Sequence, residues 1–193
     1  AFLSEADQAH FETQKNQQHF WDASEPSCAG YIARVLAERF GFDVQSVENL
    51  IQWANFIDSA GYASPEEPVE LREPALQLMT VIEHLKDTAS IKNTIEAMSQ
   101  ETVECVAMRP EIQALFTEIK TKQERALSIV QSRASVEEDV VFLDMTNLKD
   151  AIYNKWLPYY LYPECTYVVV VTESADRIKI AVGSNPWRQE KRR

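Results

Sequence analysis

The spacing of apolar residues changes near residue 135, and this change most constrains what the chain can fold into. Before it, apolar side chains recur every three or four residues, which is the helical period. After it, they come in short runs bounded by turn residues, as in Val140–Leu143 and Cys165–Thr172, which is typical of strands. We therefore predict a helical part followed by a small part that mixes helix and strand.

The helical part contains several capping signals. Gly41 follows an apolar stripe and should end one helix, and Asp43 should cap the next. Ser24 is predicted as an N-cap because Pro26 suits a first helical turn. His19–Asp22 is a candidate short strand. The predicted helices cover roughly 4–16, 26–40, 44–57, 75–85, 90–100 and about 24 residues after Pro110.

The remaining chain is predicted to follow the order β-α-β-β. A mixed sheet of three strands should lie within residues 139–183. Asn147 should cap the intervening helix, which runs through Tyr153 and Trp156.

Composition limits the classes of protein that this chain can belong to. The 193 residues are 45% hydrophobic and 25% charged, as in globular proteins of one or two domains. The net charge of −11 argues against general binding of duplex DNA, which depends on neutralising phosphates. Residues 1–134 carry 11 basic and 21 acidic side chains, whereas residues 135–193 carry 8 and 9. An anionic ligand is therefore expected at the second part.

Targeting and redox signals are few. No run of about 18 apolar residues occurs, so no membrane span is expected, and the amphipathic, acidic start does not resemble a signal peptide. Three cysteines without metal spacing favour the reducing cytoplasm as the location. The chain begins with Ala and ends in WRQEKRR, and we expect it to be a fragment of a longer protein.

The common catalytic motifs are absent from the sequence. It has no phosphate-binding GxxxxGK[ST], no GxGxxG, no GxSxG and no HExxH. None of the three histidines stands at metal-ligand spacing from another. A complete hydrolytic site is therefore not expected within these residues.

Asp58 is the first candidate site residue. It follows the last apolar turn of its predicted helix, where the helix dipole disfavours a carboxylate. A bound cation would compensate for that charge. Alternatively, Asp58 caps the turn that follows, which is a common use of aspartate.

Two further segments are candidates for contact with an anion. Residues 24–30 open a helix with small residues, and helix N-termini bind anions; the same pattern also suits an ordinary serine cap. In residues 178–193, Gly183 would let a ligand approach a strand end. Ser184, Asn185 and Arg188 would donate to phosphate there. The alternative is a strand-end turn that leads into a solvated basic tail.

Taken together, Pro26-Ser27-Cys28-Ala29, Trp53–Ala60 and the terminal VGSNPW resemble the DHH phosphoesterases in kind and order. The resemblance implies three parts: residues 1–108 as the C-terminal helical part of a catalytic domain, 109–134 as a connecting helix, and 135–193 as an incomplete substrate-binding domain. The fold class would be α/β for the family and α+β within this sequence.

The resemblance also implies a chemistry. The parent would be a metal-dependent phosphoesterase with two divalent ions, usually Mn²⁺, and Asp58 would be one metal ligand. The substrate would be a nucleotide, a short single-stranded oligonucleotide or a similar phosphorylated anion. No Asp-His-His signature and no glycine-rich GGGH motif occur here, and Gly183 stands where many members have Arg. The chain by itself is thus expected to bind no metal and to be inactive.

A reading from another class remains open. An acidic helical bundle next to a small α/β domain would also suit a non-catalytic module that binds or regulates other proteins. The incomplete catalytic set favours this alternative.

Overall fold

A computed structural model describes residues 4–14, 21–148, 154–174 and 176–188 of the chain. The protein combines helices with one four-stranded sheet, which confirms the α+β class. It forms two compact units, Ala1–Ser59 and Ala60–Arg193. The division into 1–108, 109–134 and 135–193 stays a prediction.

The first unit is helical. Its α1 covers Glu5–Gln14, α2 covers Cys28–Phe40 and α3 covers Glu48–Asp58, with a 3₁₀ helix at Val44–Val47 before α3. Gly41 ends α2 in a left-handed conformation (φ 67°), as predicted. Asp43 caps the 3₁₀ helix rather than α3 itself.

The start of this unit differs from the prediction at the cap of α2. The N-cap of α2 is Ser27, so the prediction of Ser24 is wrong. Ser24 instead donates its backbone N–H to Asp22 in a turn before the helix. The candidate strand His19–Asp22 falls partly outside the described residues, and its last two residues do not form a strand.

The second unit begins with helices. They are α4 (Glu66–Glu70), α5 (Pro74–His84), α6 (Thr88–Met98), α7 (Val103–Ala107), α8 (Pro110–Arg133) and, further along, α9 (Leu157–Leu161). The 24 residues of α8 match the predicted long helix. The five-residue helices α4 and α7 were not predicted because one turn and a half is too short to reveal a period. No described helix is long and apolar enough to cross a membrane.

The sheet has the order β1-β2-β3-β4, formed by Ala134–Glu137, Val140–Met145, Tyr167–Glu173 and Ile178–Ser184. The central pair, β2 and β3, is parallel, and the two outer pairs are antiparallel. The three predicted strands are confirmed as β2, β3 and β4 of a mixed sheet, but the sheet has a fourth strand, β1, that was not predicted. The additional β1 continues directly from α8 and is mostly exposed, so it lacks the apolar run by which the others were found.

One face of the sheet packs on helices. Val141 and Leu143 of β2 and Val168 of β3 are buried with Val130 of α8 and Leu157 of α9. Asn147, the predicted N-cap of the intervening helix, has a left-handed φ of 59°. Residues 149–153, where most of that predicted helix falls, lie outside the described residues, and α9 starts after Trp156.

Candidate active site

The segments Pro26–Ala29 and Trp53–Asp58, which resemble the DHH phosphoesterases, contact each other directly. The Ser27 hydroxyl accepts the backbone N–H of Gly30 at 2.9 Å and donates to Asn55 Oδ1 at 2.6 Å. A Cβ atom on Gly30 would lie only 2.6 Å from Asn55 Oδ1, so glycine is what allows this approach. The small residues at the start of α2 therefore hold it against α3.

An ion-pair network fixes the segment that precedes α2. Arg34 donates to Glu25 at 2.7 Å and to Asp22 at 3.1 Å. Hydrogen bonds from Ser24, together with the Arg34 guanidinium, hold the pKa of Asp22 below its ordinary value. These contacts are exposed, and they orient the turn rather than create a buried charge.

Asp58 is the last residue of α3 and is exposed. Within the described residues its carboxylate has no hydrogen bond or ion pair. The helix end is capped by Ser59, whose hydroxyl donates to the Asn55 carbonyl at 2.6 Å. Asn55 and Asp58 are three residues apart, so their side chains neighbour each other on one helix face. The C-terminal end of α3 is thus capped by Ser59.

The described residues do not contain a complete metal site. No group of three or more His, Cys, Asp and Glu side chains within them could hold a metal ion. Asp58 could supply one ligand, but a divalent cation needs several. The Mn²⁺ expectation therefore remains untested.

In the second unit, Asn185 is built into the fold. It is 2% exposed, and its Nδ2 donates to the carbonyls of Pro163 (3.2 Å) and Cys165 (2.8 Å). Its Oδ1 accepts the Trp187 N–H at 3.0 Å, and its own N–H bonds the Thr166 carbonyl at 2.8 Å. Both amide hydrogens are used, so this side chain shapes the turn and has no donor left for a ligand.

Ser184 and Arg188 flank that turn and are partly exposed. Ser184 ends β4 opposite Tyr167. Arg188 donates to the backbone carbonyl and to the carboxylate of Glu164, whose own side chain is 91% exposed. Burial raises the pKa of nearby Cys165 to about 11, so this thiol stays protonated near neutral pH.

Gly183 does not open a space for a ligand. A Cβ atom at this position would overlap the hydroxyl of Tyr159, which is buried on α9. The Tyr159 ring also lies 6.3 Å from the rings of Trp156 and Trp187. Gly183 therefore makes room for an aromatic side chain of the protein itself.

Three side chains donate hydrogen bonds to backbone carbonyls of residues 62–70, the segment that follows Asp58 in sequence. Trp187 Nε1 donates to the Tyr62 carbonyl at 2.9 Å, and Asn154 Nδ2 donates to the Pro68 carbonyl at 2.5 Å. Lys120 Nζ donates to the Glu70 carbonyl at 3.0 Å. These donors lie 50 to 125 residues from their acceptors, so sequence periodicity carries no signal for them.

Comparisons with known proteins give one informative result. No family model matches the chain, and no curated protein matches it. Among solved structures, the fold is similar to that of the pGpG-specific phosphodiesterase PggH from Vibrio cholerae. The TM-score is 0.68 at 19% sequence identity, over 90% of this chain and 62% of that one. The chain thus spans less than two thirds of its structural neighbour, and the likeness is one of fold.

Proposed function

We propose that this chain is part of a metal-dependent phosphoesterase that hydrolyses a phosphoester or phosphoanhydride bond in a short nucleotide substrate. The observation that carries the proposal is the likeness of fold, over 90% of the chain, to a phosphodiesterase that acts on pGpG. The resemblance of two sequence segments to the DHH phosphoesterases supports it independently, because those segments meet at the Ser27–Asn55 hydrogen bond.

In this proposal Asp58 supplies one metal ligand. An exposed carboxylate with no described partner, at a helix end that disfavours its charge, is available to bind a cation. When bound, a divalent ion such as Mn²⁺ would neutralise charge on the substrate phosphate. The remaining ligands would come from residues outside this sequence, and we expect the chain by itself to be inactive.

Ser184 and Arg188 would bind the phosphate end of the substrate, with Asn185 shaping the turn between them. Arg188 is already paired with Glu164; the arginine side chain is only 17% exposed, but the glutamate side chain is 91% exposed and can turn into solvent. A phosphate can therefore replace the Glu164 carboxylate on the guanidinium. A dinucleotide, a short single strand or another small phosphorylated anion fits this role.

The test is hydrolysis by the intact protein that contains this sequence. We expect release of nucleoside monophosphate from pGpG or a related linear dinucleotide when Mn²⁺ is present, and loss of that activity with a chelator. Asp58→Asn should abolish turnover. Glu48→Gln, at the other end of α3 and also exposed, is the matched control and should leave turnover unchanged.

Arg188→Ala should raise KM more than it lowers kcat, because the guanidinium binds the phosphate and takes no part in bond breaking. If pGpG, other dinucleotides and polyphosphate all remain intact with Mn²⁺, the phosphoesterase proposal fails. A non-catalytic binding module would then be the better description.

A further inference from the structure

The side-chain amide of Asn55 is held in one orientation by its contact with α2. Ser27 is 5% exposed, and its hydroxyl oxygen lies 2.6 Å from Asn55 Oδ1. A separation this short is typical of an O–H···O bond and shorter than most N–H···O bonds, so the oxygen of the amide faces Ser27. The Ser27 hydroxyl already accepts the Gly30 N–H at 2.9 Å, which leaves its own proton for Asn55. The Nδ2 atom of Asn55 therefore points away from Ser27.

This Nδ2 atom keeps both of its hydrogens available. Asn55 is half-buried, and no described residue accepts a hydrogen bond from its Nδ2. Within the part of the chain that the structure describes, the buried side-chain polar atom without a partner is Thr166 Oγ1. Since Asn55 Nδ2 is not such an atom, solvent or a ligand can reach it.

Asn55 also lies beside the carboxylate that the proposed function uses. Residues 55 and 58 are three apart in α3, so their side chains share one helix face, with about 5–6 Å between their Cβ atoms. Asparagine is a poor residue for the middle of a helix, because its side chain competes with backbone hydrogen bonds. An apolar side chain could pack against α2 without this cost, so the amide group itself points to a further role.

We propose that Asn55 Nδ2 donates a hydrogen bond to a non-bridging oxygen of the substrate phosphate, and that Ser27 is the residue that positions this donor. The inference rests on the proposed function, in which the substrate phosphate comes to the Asp58 end of α3. Donors that are fixed before the reaction stabilise charge on a reacting group without having to reorganise. The two hydrogen bonds of the Ser27 hydroxyl supply that fixed orientation.

A neutral donor suits this position better than a charged one. A lysine or arginine one turn from Asp58 would form an ion pair with its carboxylate and would compete with a cation for it. The amide of Asn55 carries no charge, so it can bind a phosphate oxygen and leave Asp58 free to bind the cation. In a chain of net charge −11, a neutral side chain also adds no further repulsion towards an anion.

Asn55→Asp in the intact protein separates the donor from the helix contact. The aspartate keeps an oxygen for the Ser27 hydroxyl, so the free energy of unfolding should change little, but a charged acceptor replaces the donor. With pGpG and Mn²⁺, kcat should fall by about 100-fold or more, as on loss of one fixed donor to a reacting group. KM should change far less than kcat, in contrast to Arg188→Ala. Gln45→Glu adds the same charge to the exposed 3₁₀ helix before α3 and should leave both constants unchanged.

A double-mutant cycle tests the positioning role of Ser27. Ser27→Ala should lower kcat by about 10-fold when Asn55 is present, because the amide is then free to turn away from the phosphate. When Asn55→Asp has already removed the donor, Ser27→Ala should lower kcat hardly at all. An equal fall in both backgrounds would show that Ser27 supports only the fold of α2.

The outcomes distinguish this role from the proposed function. If the unaltered protein hydrolyses pGpG and Asn55→Asp does so with a similar kcat, Asn55 is not a phosphate donor, although the phosphoesterase function stands. If Asn55→Asp loses activity because urea denaturation shows it to be unfolded, the amide is structural, which also overturns the proposal. If the unaltered protein cleaves no substrate, the proposed function fails and this role fails with it.

Discussion

At the scale of single residues, the structure separates side chains that shape the fold from those left available for chemistry. Asn185 has every donor occupied by main-chain carbonyls, whereas the Asp58 carboxylate has no described partner. Both were candidates on sequence grounds because Asn and Asp are polar residues at element ends. Because their environments differ, substituting each residue should have a different effect on the free energy of unfolding.

Asp58→Asn should leave the metal-free protein as stable or raise its free energy of unfolding by about 0.3–1 kcal/mol. The change removes a negative charge from the C-terminal end of α3, where the dipole is unfavourable. Glu48→Gln removes a negative charge from the favourable end of the same helix and should lower stability by a similar amount. Urea denaturation of both variants measures the two effects. A large loss of stability in Asp58→Asn would mean that its carboxylate has a structural role.

Asn185→Ala should destabilise the second unit by about 2–4 kcal/mol, because it leaves buried carbonyl groups without donors. Ser184→Ala, one residue earlier and partly exposed, should change stability by no more than about 0.5 kcal/mol. Chemical denaturation compares the two. Equal effects would argue that the Asn185 bonds are not needed for the turn.

At the scale of elements, close approaches decide which pieces pack together. Gly30 lets α2 and α3 approach through Ser27 and Asn55, and Gly183 lets β4 approach α9. In both places an oxygen atom of the side chain opposite the glycine lies too close to the position that a Cβ atom would take. The need for glycine at each position is thus set by a side chain that lies far away in sequence.

Gly183→Ala should cost about 1–3 kcal/mol of stability, because its Cβ would overlap the Tyr159 hydroxyl. In a Tyr159→Phe background the same change should cost less, since the ring carbon Cζ lies 3.7 Å from that Cβ position, an ordinary contact. A double-mutant cycle measures the coupling. Additive effects would show that the strand end shifts freely instead.

At the scale of the whole molecule, charge is the dominant feature. The net charge of −11 resides mainly in residues 1–134, and several of the ion pairs are exposed. Such an excess of one sign destabilises a compact state through self-repulsion.

We therefore expect the thermal midpoint of unfolding to rise when NaCl is increased from about 20 to 300 mM, where the Debye length falls below 10 Å. Differential scanning calorimetry at low protein concentration measures the effect. A midpoint that falls with salt would mean that the exposed ion pairs outweigh the repulsion.

The sequence by itself determined the elements whose signals are local. Apolar periods predicted α8 and α5, and the valine-rich run predicted β3, because a helix stripe or a strand run needs only neighbouring residues. It missed β1, which has few apolar residues, and placed the α2 cap at Ser24 because Pro26 suited a first turn. Which of the two nearby serines, Ser24 or Ser27, caps the helix depends on tertiary packing.

Only the tertiary structure decided what the candidate site residues do. From the sequence, Asn185 and Gly183 were expected to face a ligand. In the structure, backbone carbonyls accept the amide hydrogens of Asn185, and Tyr159 fills the space beside Gly183. Ser27 and Asn55 are hydrogen-bonded although they lie 28 residues apart, and the Tyr62 carbonyl accepts a hydrogen bond from Trp187, 125 residues away. Such contacts form when distant segments pack together, and the physical reason they escape sequence reasoning is that no local period or propensity encodes them.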